Sequence, residues 1–106
     1  MSDNLTQNND QVIESPIFKN GLAINTEDLT SATYKLYSLN KKTLKLTKSF
    51  NQGITRKENT LTINISKADS TNLRGQYYHE LTIVDPTLGE STVFKKDIIF
   101  EATVNV

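Results

Sequence analysis

Apolar and polar side chains alternate strictly through Leu61-Thr62-Ile63-Asn64-Ile65, and again through Ala32-Thr33-Tyr34-Lys35-Leu36-Tyr37. A period of two belongs to a strand with one face buried and the other wet. After the first of these segments Ser66 and Asp69 stand three residues apart. That spacing lets a serine oxygen take an orphan backbone N–H of a short helical turn while the acid sits at its positive end. Leu73 then pins the turn to the core, and Gly75 supplies a residue that tolerates a left-handed or closely approached backbone. Residues 77–84 read as a further strand, ended by Asp85-Pro86, with Tyr77, His79, Leu81 and Ile83 on the inward parity. Leu73, Gly75, Tyr77 and Leu81 are the structural residues this stretch singles out.

The other segments line up as partner strands. Residues 12–18 are apolar enough for a strand, but Pro16 lacks the N–H a central position needs, so an edge strand is expected. Residues 21–28 read as a loop with Leu22 and Ile24 reaching inward. Asn40-Lys41-Lys42 turns the chain, and Leu44, Leu46 and Phe50 continue it as a hairpin partner with lysine and threonine on the other face, until Asn51-Gln52-Gly53 turns it again. Leu88-Gly89-Glu90 makes a hairpin turn into residues 91–94, and a last strand starts at Ile98 and runs to Val106. About seven short strands with no long helical period predict an all-β sandwich; a partly closed small barrel is the alternative, because periodicity does not show how the edges close. Residues 1–11 are polar, with Leu5 the large aliphatic side chain beyond Met1, too little to offset the entropy of ordering. The expected organisation is a flexible arm over residues 1–11 and one sandwich domain over residues 12–106.

Length fits one two-layer domain, and the absence of cysteine excludes disulfides and thiolate zinc sites. No apolar run approaches the ~20 residues of a membrane helix, and the first residues lack a signal-peptide pattern, which predicts a soluble protein made in the cytoplasm. Twelve basic and twelve acidic side chains cancel, arguing against a nucleic-acid binder that relies on a positive field. The charges are nonetheless segregated. Residues 35–57 carry seven bases (Lys35, Lys41, Lys42, Lys45, Lys48, Arg56, Lys57) and no acid, while the segments before and after are net −4 (five acids against Lys19) and net −3 (seven acids against four bases). Lys41, Lys42, Lys45 and Lys48, with Leu5 of the arm, are the candidate interface residues, the arm of one copy lying on a neighbour. A solvated lysine face that keeps an edge strand from pairing is the plainer account of the same lysines.

Candidate chemistry is sparse. His79, the only histidine, falls on the core parity, and Glu80 points to the opposite face, so the two make no acid–base pair on a regular strand. Asp69, Asp85 and Asp97 lack the spacing of a calcium loop and are explained by capping and turns. Tyr37 and Tyr78 share the outward parity and would be the aromatic part of a sugar-stacking platform. No catalytic, cofactor-binding or metal-binding residues are expected, and no cofactor.

Two segments, D-L-T-S-A-T-Y-K-L over residues 28–36 and I-S-K-A-D-S-T-N-L-R-G-Q-Y-Y-H-E-L-T-I-V-D over residues 65–85, followed by a turn and a terminal β-run, resemble the immunoglobulin-like N-terminal domain of bacteriophage baseplate upper proteins. Those domains show a D-L-T-G-A-T start to one strand, then an S-x-x-D-T-x-x-L turn and G-x-Y-x-x-E-L; here Ser31 stands in place of the glycine. The resemblance covers residues 21–106. It implies an immunoglobulin-like antiparallel sandwich and a non-enzymatic virion protein of the tail, baseplate or neck, or a head decoration. Its partners would be other virion proteins and copies of itself, with neither nucleic acid nor membrane. An adhesion or carbohydrate-binding module on a virion or cell surface is the alternative function.

Overall fold

The computed structural model describes residues 3–6, 10–19, 21–40, 43–87 and 89–101. In chain order these form β1 (Asp3–Thr6), β2 (Gln11–Pro16), β3 (Phe18–Lys19), β4 (Leu22–Ala23), a 3-10 turn (Thr26–Asp28), β5 (Ser31–Ser38), β6 (Leu44–Phe50), β7 (Gly53–Lys57), β8 (Thr60–Ile65), α1 (Lys67–Ser70), β9 (Gly75–Asp85) and β10 (Gly89–Glu101). Eight strands join in the order β1-β10-β9-β5-β6-β7-β8-β2, and β3 with β4 makes a separate two-residue ribbon.

The all-β expectation holds, and the way the sheet bends unites the two architectures considered. Between β6 and β7 the ladder is only two residue pairs, Ser49 with Gly53 and Phe50 with Ile54, running in parallel. Asn51 (φ 64°) and Gly53 (φ 104°) turn the chain there in the left-handed region. On one side of this corner lie β1, β10, β9, β5 and β6; on the other lie β7, β8 and β2. The two layers face each other across a single core: Ala32, Tyr34, Leu36, Leu81, Ile83, Ile98 and Phe100 from the larger meet Ile54, Leu61, Ile63 and Ile65 from the smaller. The ladder passes unbroken through the corner, so the sandwich is also a curled, partly closed barrel. Each buried Leu or Ile contributes about 1.5–3 kcal/mol relative to exposure.

The order β10-β9-β5-β6 opposite β2-β8-β7 is that of strands G, F, C and C′ opposite B, E and D in an immunoglobulin sandwich. Pairing is mixed rather than antiparallel throughout, since β1 runs parallel to β10 and β6 parallel to β7.

Several expectations change with the tertiary structure. Residues 3–6 do not lie loose or on a neighbour: β1 pairs with Ile98–Glu101 of its own chain, and Leu5 packs against the core. The last two expected strands are one, β10, with a bulge between Thr92 and Phe94. Leu22 points outward at 73% exposure, because the β3–β4 ribbon lifts it off the layer; Ile17 and Ile24, joined by a 3.0 Å backbone hydrogen bond at the base of the ribbon, turn in instead. Leu44 is half exposed. A register shift pairs Leu36 with Leu46 but Tyr37 with Leu44, so one extra residue moves Leu44 to the outer face.

Arg56 ties the corner together. Its guanidinium lies over the Phe50 ring (4.1 Å to the centroid) and donates to the carbonyls of Thr26 and Leu29 at 3.4 and 3.3 Å, the first of which also accepts the Leu29 N–H that closes the 3-10 turn. Thr26, fully buried, gives both its backbone N–H and its hydroxyl to the Glu58 carbonyl.

Candidate interaction site

The turn between the two layers is built as its sequence suggests. Ser66 and Asp69 form a reciprocal capping box, the Ser66 oxygen accepting from the Asp69 N–H and the Asp69 carboxylate from the Ser66 N–H. Leu73 is buried beyond it. Gly75 has φ +94°, a conformation that side chains resist, and with it the chain enters β9 so that Tyr77 folds back on its own turn. The Tyr77 hydroxyl accepts the Arg74 N–H at 3.1 Å, and its ring meets Phe100 edge-on at 5.6 Å. This has the form of the tyrosine corner at the start of strand F. Leu81, further along β9, is fully buried.

Two residues beyond Tyr77 lies His79, the place of the strand F cysteine in antibody domains. It is completely buried, and its Nδ1 sits 2.9 Å from the Tyr34 hydroxyl of β5. Phe94 stacks obliquely on the imidazole at 4.7 Å. The chain's one imidazole is therefore a core polar contact between strands, packed where a cysteine-containing relative of the fold would place its disulfide. Glu80 points outward and lies 3.5 Å from the Tyr37 hydroxyl.

The candidate interface lysines separate. Lys41 and Lys42 lie outside the described residues. Lys45 is exposed. Lys48 is not available to a neighbour: its ammonium bonds Asp69 at 2.7 Å, fastening β6 to the capped turn, and its stem runs past Gly53, where a Cβ would collide with it. Burial alone would raise the Asp69 carboxyl; the Lys48 hydrogen bond, the Ser66 contacts and the lysine charge outweigh it and hold the group below its ordinary value. Leu5 likewise serves its own chain. The apparent +7 segment is thus partly spent on internal contacts.

The outward face of β5, β9 and β10 is a mosaic. Register places Thr33, Thr82 and Thr92 in one row, Lys35, Glu80 and Lys95 in the next, and Tyr37, Tyr78 and Asp97 in a third. Tyr37 and Tyr78 do come together, with ring centroids 6.4 Å apart and planes 43° apart, but Tyr78 is only 9% exposed, so the pair offers no open stacking surface.

Sequence pattern gave no signal for an opening between the two ends of the sheet. Among the described residues the two ends of the sheet approach without pairing, leaving a cleft of about 440 Å³ bounded by β2, β10 and Leu5. One wall is Val12, Ile13, Glu14, Ser15 and Pro16; the other is Val93, Phe94 and Lys96. Val12 is 49% exposed. Both walls are strand edges. Among the described residues β1 covers β10 only from Ile98 onward, and β2 pairs on one side alone, with β8. Orientation of the β2 groups follows from one hydrogen bond. Ile17 donates to the Asn59 carbonyl at 2.7 Å beside the Pro16–Thr60 pair, so Ser15, Ile13 and Gln11 bond to β8 while Val12, Glu14 and Pro16 turn their backbone groups outward. Pro16 thus stands where its missing N–H costs the ladder nothing.

No protein-family model, no curated protein and no solved structure matches the chain.

Proposed function

We propose that the chain is a non-enzymatic structural module of a bacteriophage particle, joining other virion proteins and copies of itself through its sheet edges. The observation that carries this is the seam between β2 and β10, where outward-facing backbone groups of Val12 and Glu14 border a partly apolar cleft. An unpaired edge beside a groove is a surface that binds extended chain, with backbone hydrogen bonds supplying affinity and side-chain pockets supplying register. Placement in a virion rests on the resemblance of residues 28–36 and 65–85 to baseplate domains. The location of His79 supports a structural role, since its imidazole is consumed in a fully buried contact with Tyr34 rather than presented to a substrate. The alternating Lys35-Glu80-Lys95 row supports a protein partner over nucleic acid or an anionic membrane, which call for a field of one sign.

In this proposal the protein is made in the host cytoplasm and ends in the particle. Mass spectrometry of salt-washed, gradient-purified particles tests it. The expected result is a fixed number of copies per particle; recovery in the host lysate with none in the particles would overturn it.

A further inference from the structure

We infer that the open seam receives residues 102–106 of a second copy of this chain as an added strand along β2. The inference rests on the assembly proposal and names its partner. Two observations fit this occupant. First, Ala102-Thr103-Val104-Asn105-Val106, which follows β10 and lies outside the described residues, alternates small or branched apolar side chains with polar ones. A strand of this pattern turns Ala102, Val104 and Val106 to one side, toward the apolar lining of the cleft at Ile13 and Phe94, and leaves Thr103 and Asn105 facing water. Second, the charges match: Glu14 and Lys96 stand on opposite walls of the cleft, leaving it without net charge, and residues 102–106 carry no charged side chain.

The topology favours delivery from another copy. β10 ends at Glu101 with Thr6 of β1 beside it, so the outer side of this end is already taken. Returning to its own seam would require this segment to pass around β1 and to turn tightly before it could pair. A neighbour's segment arrives without that turn. Donor tail and acceptor seam are different surfaces, so the contact is head-to-tail and propagates into a ring or a filament, as a repeating particle component requires.

The test uses full-length chains. Val104→Asp places a charge in the apolar row of the tail and leaves the seam intact. Glu14→Pro removes an outward N–H from β2 without touching the β8 ladder, and leaves the tail intact; Val12→Asp blocks the same wall without a proline, should Glu14→Pro fold poorly. In sedimentation equilibrium the unaltered chain, 11.9 kDa, is expected to show a weight-average mass that at least doubles as concentration rises. Each variant alone should remain at one chain. An equimolar mixture of a tail variant with a seam variant should reach twice one chain and stop there, because one functional tail meets one functional seam. Three outcomes overturn the inference: an unaltered chain that stays monomeric at millimolar concentration, a Val104→Asp chain that associates as strongly as the original, or a mixture that stays monomeric. Any of these leaves the particle proposal standing with a different protein in the seam, whereas absence from purified particles removes that proposal without altering these masses.

Discussion

Tyr34→Phe and Tyr77→Phe delete the same atom from two surroundings, and the difference between them measures what burial adds to a hydrogen bond. The Tyr34 side chain is fully buried with its hydroxyl 2.9 Å from His79 Nδ1. Removing it takes from a buried imidazole a partner that water cannot replace, which costs about 1–3 kcal/mol. The Tyr77 hydroxyl instead accepts from the N–H of Arg74, an exposed residue, so water re-forms the bond and the loss is about 0.5–1 kcal/mol. Ring packing survives both changes: Tyr34 keeps Phe94 at 6.4 Å and Tyr77 keeps Phe100 at 5.6 Å. Urea unfolding of the two variants and the parent, fitted with a common slope, gives the values directly. In a domain of this size each kcal/mol appears as a shift of about 4–8 °C in Tm. Tyr34→Phe should therefore melt clearly below Tyr77→Phe. A costlier Tyr77→Phe, or a Tyr34→Phe within about 0.3 kcal/mol of the parent, well below the lower end of that range, would refute a role for burial here.

Gly75→Ala and Gly75→Val should each cost about 1–2 kcal/mol through backbone strain at φ +94°, since a Cβ there meets nothing within 4 Å; a neutral alanine in urea unfolding would show that β9 enters by another conformation. The Lys48–Asp69 pair should give stability that is fully present above pH 3.8, the ordinary value for the acid, and lost as pH falls through the lower value Asp69 holds in the folded state. Lys48→Met should flatten that acid dependence in urea midpoints measured across this range, and an unchanged profile would mean that the pair is open in solution. Gly53→Ala should weaken the same pair by driving a methyl into the Lys48 stem, read as a loss of the same acid dependence. Leu5→Asp should lower stability by about 1–2 kcal/mol, because Leu5 covers its own core from β1; a parental Tm would place β1 away from its own sheet.

Periodicity along single segments was enough to place the inward residues of β5, β8 and β9, because a strand must alternate and the alternation of Ala32, Tyr34, Leu36, Leu61, Ile63 and Ile65 is written in neighbouring positions. Local chemistry likewise determined the Ser66–Asp69 cap, and Pro16 marked β2 as an edge, since these features depend on a few adjacent atoms. What depended on distant partners was decided only in three dimensions. A shift of one residue opposite Tyr37 reversed Leu44; the ribbon at Phe18 and Leu22 turned a loop expected to bury Leu22 into an exposed one; and an arm too polar to fold alone became β1 once β10 offered it a ladder. Charge counted along the chain could not reveal that Lys48 belongs to Asp69, twenty-one residues away. Nor could it reveal the seam, because an unpaired edge is a relation between β2 and β10, set by the twist and curl of eight strands rather than by the side chains of either one.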